Sequence, residues 1–292
     1  MWIDIFLDYL KLERNYSKQT ITSYGVDLNQ FEQYFKSVDE SLDFVHVDAD
    51  IVRLWVVSLM DDGYSAVSVN RKLSSLRAFY RFLLRKDLVK IDPMCKISGP
   101  KKKKPLPVFL REEEMDRLLD DVSFEDSFEG NRDRLILEVF YLTGVRLSEL
   151  IGLNDADVDF SLMQIKVTGK RNKQRMIPFG DELKEQMLAY LKLRNEAVAK
   201  PDAFFVLPNG RPMYPSKVYN IVRKNLSKVA TLKKKSPHVL RHTFATTMLN
   251  HDAELGVVKE LLGHESLTTT EVYTHTTFEE LKKVYEHAHP RA

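Results

Sequence analysis

The chain has 292 residues, 43% of them hydrophobic, which predicts two domains with real cores. Lys and Arg number 44 against 42 Asp and Glu, a formal net charge of +2, so nucleic-acid binding would have to rest on local clusters of charge rather than on a basic total. The single Cys95 excludes an internal disulfide and fits a reducing cytoplasm, and the absence of a signal-peptide pattern, of an apolar run near ~18 residues and of a 20–50-residue repeat predicts neither export, membrane partner nor solenoid.

Residues 1–86 read as four helices forming a small bundle. Trp2, Ile5, Phe6, Tyr9 and Leu10 recur at helical spacing. Ser17 is an N-cap candidate for a second helix, with Ile21, Tyr24, Leu28, Phe31 and Phe35 inward. Asp48 precedes a third, with Val52, Trp55, Val56, Leu59 and Met60 inward and Gly63 at its end. Ser65 or Ser68 starts a fourth, with Leu73, Leu76, Phe79, Tyr80 and Leu83 inward.

That fourth helix also carries Arg71, Lys72, Arg77, Arg81, Arg85 and Lys86, with no acidic residue between Ser65 and Lys86. A charge stripe is most often a solvated face. One this lopsided on a near-neutral chain favours a phosphate-facing surface. Residues 87–107 read as a polar, Pro-rich linker, with Lys101, Lys102, Lys103 and Lys104 in a row.

Residues 108–292 read as a second, mostly helical domain. Leu110 to Asp121 and Asn131 to Leu142 are amphipathic, and Gly144 breaks the second run. Arg146 opens a short helix, Leu147 to Leu153, among apolar neighbours, so its charge is expected to be partly buried; a plain ion pair with Glu149 is the structural alternative. Met163 to Thr168 and Gln174 to Phe179 alternate as strands joined by a cationic turn, and Phe204 to Leu207 reads as a further short strand. Helices near Glu182–Ala199 and Ser216–Val229 follow, then Lys233, Lys234 and Lys235, a second candidate phosphate track.

The last quarter concentrates the chemistry. Ser236 and Pro237 start a helix bearing His238, Arg241 and His242, with Phe244, Ala245, Met248 and Leu249 on its apolar side. A short helix with Leu255, Val258, Leu261 and Leu262 stops at Gly263, and His264 follows. Ser266 can cap a third helix bearing Tyr273. A guanidinium, imidazoles and a phenol suit attack of tyrosine on a phosphodiester without metal or other cofactor. His238 and His242 have zinc-pair spacing, but the glutamate of the helical H-E-x-x-H motif is absent, residue 239 being Val. The tail, Glu279 to His287, is a helix with Leu281, Val284 and Tyr285 on one side; His287 and His289 read as exposed.

His238-x-x-Arg241, Leu262-Gly263-His264 and Tyr273 at this spacing resemble the C-terminal signature of tyrosine recombinases. Thr143-Gly144-Val145-Arg146-Leu147-Ser148-Glu149-Leu150 resembles the family's first arginine motif, and Thr168-Gly169-Lys170 its β-hairpin lysine, with about ninety residues between the two arginines. The resemblance covers essentially the whole chain and is strongest to the Xer recombinases. It implies a mainly α fold: an N-terminal four-helix SAM-like core-binding domain, and a mostly helical catalytic domain with a small antiparallel β-sheet, clamped around duplex DNA. It implies that the second and fourth helices approach the major groove, which adds Lys18, Gln19 and Thr20 as candidate contacts. The tail helix would dock into a neighbouring protomer; folding back on its own domain is the alternative.

The resemblance implies Tyr273 as nucleophile, with Arg146, Lys170, His238, Arg241 and His264 completing the site. A free phenol has a pKa near 10, so about 0.1% is ionised at neutral pH; His238 is the candidate base. Planar guanidinium forks on Arg146 and Arg241 suit the non-bridging oxygens, His264 adds a hydrogen bond, and Lys170 suits the general acid for the leaving 5′ oxygen. The reading is site-specific strand exchange through a 3′-phosphotyrosyl link, in a tetramer on double-stranded DNA at a dif-like site, resolving chromosome or plasmid dimers. A mobile-element integrase, a type IB topoisomerase-like enzyme and a non-catalytic DNA-binding protein are the alternatives. Whether a second Xer recombinase shares the tetramer, and whether an FtsK-type translocase activates it, stay open.

Overall fold

The computed structural model of the chain describes residues 2–102, 108–169, 172–199, 201, 203–263 and 278–292. They form two compact units that divide between Pro105 and Leu106.

The first unit holds α1 (Trp2–Leu12), α2 (Lys18–Val38), α3 (Ala49–Asp61) and α4 (Ala66–Arg85). Three of these starts are capped as their sequences predict: Ser17 Oγ accepts from the Thr20 N–H, Asp48 from Asp50 and Ile51, and Ser65 from Ser68. An aromatic core closes between the helices, with Phe31 against Trp55 and Phe44 against Phe79, each pair at 4.8 Å between centroids. Ile5 and Met60, expected inward, are 45% and 41% exposed. The buried stripe of α1 runs through Ile3, Phe6 and Leu10, and Ile5 lies two residues from Ile3, on the far side of the helix. Met60 sits one residue, about 100°, beyond buried Leu59.

The segment after α4 is part of this unit. Val89, Met94 and Ile97 are buried in its core. Arg77 Nη2 donates to the Ile97 carbonyl at 2.9 Å, and Asn70 Nδ2 to the Pro100 carbonyl at 2.8 Å.

The second unit contains α5 (Glu112–Asp116), α6 (Phe128–Thr143), α7 (Leu147–Ile151), β1 (Val158–Asp159), β2 (Gln164–Thr168), β3 (Gln174–Pro178), α8 (Asp181–Ala197), α9 (Pro215–Val229), α10 (Pro237–Asn250), α11 (Leu255–Leu262) and α12 (Phe278–Ala288). Helix α6 is buried on nearly every side from Leu135 to Thr143, which marks it as the central helix. The sheet is antiparallel in the order β1-β2-β3, with Ile165 opposite Ile177 and both buried.

Several expectations change. The run Leu110 to Asp121 is not one α-helix: α5 is followed by a π-helical turn, Arg117–Asp121. Phe204 to Leu207 is not a strand of the sheet; it makes one isolated bridge, Val206 with Pro212. Two of its four carbonyls are taken by side chains instead: Phe204 accepts from Tyr190 Oη at 3.1 Å and Arg194 Nη1 at 3.0 Å, and Val206 from Arg132 Nη1 at 3.2 Å. Leu249 and Leu255 are exposed.

Helix α12 folds back on its own unit, the alternative to docking on a neighbour. Leu281, Tyr285 and Ala288 are buried with Phe244, Met248, Val258 and Leu261. Arg291 anchors the end, reaching Asp116 and Glu182 at 3.1 Å and also Asp120. His287 is exposed, but His289 is buried. An uncharged imidazole is a flat aromatic surface, and this one fills the space beside Tyr141, Phe244 and Tyr285.

Candidate active site

Two helix ends build the site. Helix α6 stops at Gly144, whose φ of 59° is left-handed, and α11 stops at Gly263, with φ 64°. The last carbonyls of a helix have no partner within it and carry the negative end of its dipole. At α11 three successive carbonyls each meet a different arginine. Leu261 accepts from Arg175 Nε at 2.7 Å, Leu262 from Arg241 Nη2 at 2.6 Å and Gly263 from Arg146 Nη2 at 2.7 Å. The arginines come from β3, α10 and the N-cap of α7. Arg241 Nη1 also donates to the Gly144 carbonyl, tying the two helix ends together.

One carboxylate serves this cluster. Glu149 accepts from Arg146 Nη1 and Arg175 Nη1 at 2.7 Å on Oε1, and from the Arg146 N–H at 2.7 Å and Arg175 Nη2 at 3.0 Å on Oε2. The Arg146–Glu149 pair read as the alternative from the sequence is therefore present, within a larger constellation. Burial works against the Glu149 anion, but the hydrogen bonds and charges of Arg175 and Arg146 hold its pKa down at about 2. Burial, then the charges of Arg146 and Arg175, lowers Arg241 to about 10. Three guanidinium groups gathered with one carboxylate leave a net positive cluster, and their planar forks suit an anion that can present two oxygens at once.

His238 lies exposed on the first turn of α10, and His242, one turn on, is exposed as well. Arg241 between them is buried. Gly169 donates to the Lys173 carbonyl at 2.7 Å, closing the base of the β2–β3 hairpin. Lys170, His264 and Tyr273, like Lys103 and Lys104, lie outside the described residues.

The expected DNA contacts divide. Lys18 and Gln19 are exposed on the first turn of α2, while Thr20 is half-buried with its hydroxyl 2.9 Å from Ser17 Oγ. Arg71 is half-exposed and forks onto the buried Asp27, with Nη2 to Oδ1 at 2.8 Å. Lys72 is the correction: it is buried, 3.2 Å from Asp27 Oδ1, and also donates to Gln30. A carboxylate out of water needs a cation beside it, and Lys72 is consumed by that need. Arg77 is half-buried on the Ile97 carbonyl, Arg81 is exposed, and Arg85 is exposed beside Tyr9 Oη. Lys101, Lys102, Lys233 and Lys234 are exposed and Lys235 is half-buried.

Sequence reasoning missed Arg175 and gave Glu149 only a structural part. The one signal for Arg175 was a long cation within a short strand that closes a hairpin.

Residues 108–280 match the phage integrase family, and residues 3–87 match the phage integrase N-terminal SAM-like domain. The chain is 39% identical over 318 residues to a tyrosine recombinase XerC of Chlorobaculum tepidum, covering 100% of this chain and 95% of the relative. It is 40% identical over 291 residues to a tyrosine recombinase XerC of Listeria innocua, covering 98% and 97%. In fold it is similar to the Tn1549 transposon integrase in complex with circular intermediate DNA, with a TM-score of 0.72, 22% identity and coverage of 97% and 98%. The same holds for the XerH recombinase bound to palindromic difH substrate, with a TM-score of 0.72, 20% identity and coverage of 98% and 91%.

Proposed function

The chain belongs to the phage integrase family and is a Xer-type site-specific tyrosine recombinase; from this we propose that Tyr273 is its nucleophile and that Arg146, Arg241, His238, His264 and Lys170 complete the reaction. The Tyr273 phenol gives its proton to His238, directly or through water, as its oxygen bonds to the scissile phosphorus. The bond to the 5′ oxygen breaks, and that oxygen takes a proton from Lys170. Negative charge building on the non-bridging oxygens is met by the forks of Arg146 and Arg241 and by a hydrogen bond from His264. The 3′-phosphotyrosyl link keeps the diester's energy, so a second 5′ hydroxyl can attack it and restore both the DNA strand and the phenol.

The observation that carries this reading is the convergence of three guanidinium groups from α7, β3 and α10 on the end of α11. Two of them are the arginines of the motifs, and the chain continues from that end to His264 and Tyr273. Arg241 stays charged at neutral pH even with its pKa lowered to about 10.

The substrate of this reading is double-stranded DNA carrying a dif-like site, bound by both domains. Lys18, Gln19, Arg71, Arg77, Arg81, Arg85, Lys101–Lys104 and Lys233–Lys235 face phosphates, and Thr20 stands at the groove. Four protomers on two sites exchange strands to resolve chromosome or plasmid dimers in the cytoplasm. Among the described residues no helix is long and apolar enough to cross a membrane.

The test is a duplex nicked next to the cleavage point and carrying the host's dimer-resolution sequence, incubated without metal or ATP. A denaturant-resistant adduct is expected with the wild type and none with Tyr273→Phe, which still binds. An adduct with the variant removes Tyr273 from the role. Adding a second Xer recombinase or an FtsK-type translocase to the same assay asks whether either is a partner.

A further inference from the structure

We propose that Arg175 is a positioning residue for strand cleavage. It fixes the Glu149 carboxylate so that Glu149 can fix Arg146, and it tethers the end of α11 from which the chain runs to His264 and Tyr273. The proposal rests on the reading that Arg146 binds the scissile phosphate.

The geometry is that of a bracket. A carboxylate has about four lone-pair sites, and all four on Glu149 are used, two by Arg146 and two by Arg175. Arg146 supplies one bond from its backbone and one from its side chain, so it alone would leave each oxygen half-satisfied. Arg175 approaches with a planar fork and takes one site on each oxygen, which stops the carboxylate rotating. Its third donor, Nε, lies in the same plane and holds the Leu261 carbonyl at 2.7 Å. One guanidinium thus fixes α7 and the end of α11 relative to β3, the strand that closes the Lys170 hairpin.

The packing leaves this side chain little freedom. A Cβ added at Gly263 would stand 3.1 Å from Arg175 Cδ and 3.3 Å from its Nε, so the stem lies against that glycine. The side chain is 14% exposed, and its three bonds point inward to protein acceptors. Its task is therefore to hold protein groups in place. Lysine keeps the charge but has no fork to span two oxygens and a carbonyl, so Arg175→Lys separates geometry from charge.

The test is single-turnover cleavage of the nicked duplex by the full chain, alongside DNA affinity and the urea midpoint. Arg175→Lys is expected to cleave at least tenfold more slowly, with affinity within about twofold of wild type. If the residue acts through Glu149, the double variant Arg175→Lys/Glu149→Gln is no slower than the slower single variant. Wild-type cleavage by Arg175→Lys overturns the proposal, and so do losses that multiply in the double variant. A drop in affinity equal to the drop in rate also overturns it, since that is loss of fold alone. Arg175→Gln, which keeps a planar donor, is read by the same criteria if the lysine variant is poorly folded. Arg146→Ala run in parallel distinguishes the failures: if it cleaves normally, the site reading falls with everything built on it, whereas if it is dead while Arg175→Lys is normal, only the positioning role falls.

Discussion

Lys72 Nζ lies 3.2 Å from Asp27 Oδ1, and both side chains are closed off from solvent. Asp27 also takes the Arg71 fork and the Ser75 hydroxyl at 3.2 Å. The basic stripe of α4 is therefore two structures, an internal charge cluster near its start and, further along, cations that hold neutral groups, as Arg77 and Arg85 do, or stand exposed, as Arg81 does. Lys72→Met should destabilise the first unit by about 2–4 kcal/mol, because it leaves a buried carboxylate short of a partner. The salt dependence of DNA binding should not change. Urea denaturation and a salt titration of affinity check both halves.

Arg81 is exposed on the same helix. Arg81→Ala should lower the slope of log affinity against log salt by about 0.9, the value for one phosphate contact, with stability within about 0.5 kcal/mol of wild type. An unchanged slope would reduce Arg81 to a solvated charge. Arg77→Ala is a less clean probe, because Arg77 also holds the Ile97 carbonyl.

The contrast between these residues shows what was legible in the sequence. Ser17, Asp48 and Ser65 were readable as caps because a cap and its N–H lie within three residues. Gly144 and Gly263 were readable as breaks for the same local reason. Lys72 was misread because Asp27 lies 45 residues earlier, on another helix. Arg175 was passed over because its partners, Glu149 and Leu261, are 26 and 86 residues away. The composition of a helix face is local information; which buried acid claims a cation from it is not. His289 failed differently: an imidazole reads as polar until its neighbours prove to be Tyr141, Phe244 and Tyr285.

Gly144 joins the fold to the site. It has a left-handed backbone, and an added Cβ would stand 2.5 Å from Phe244 Cδ1 and 2.9 Å from Leu262 Cδ2. Gly144→Ala should therefore combine backbone strain of about 1–2 kcal/mol with overpacking of about 1–3 kcal/mol. Urea denaturation should show a clear loss of stability. A variant as stable as wild type would mean that α10 and α11 shift freely around the residue, contrary to the close packing of Phe244 and Leu262.

The tail carries a pH dependence. His289 lies with its ring 5.0 Å from that of Tyr141, and its Nδ1 accepts the Arg291 N–H at 3.2 Å. Burial, with the charges of His251 and Arg291 adding to it, pushes its pKa down to about 4. In the unfolded chain a histidine titrates near 6.5. Between these values the unfolded state binds the proton and the folded state does not, so stability is full above about pH 6.5, falls as the pH drops, and levels off below about 4. The loss from this group is about 3 kcal/mol across that window. A protonated ring would also lose its Nδ1 acceptor for Arg291, so the anchor that Arg291 makes with Asp116, Asp120 and Glu182 should loosen with it. Urea midpoints from pH 7 to pH 4 should fall more steeply for the wild type than for His289→Phe, whose ring keeps the aromatic contacts without a proton site. Other buried acids, Glu138 among them, titrate in both proteins and drop out of the difference. Parallel curves would mean that acid acts on the fold elsewhere and that the imidazole is only a packing group.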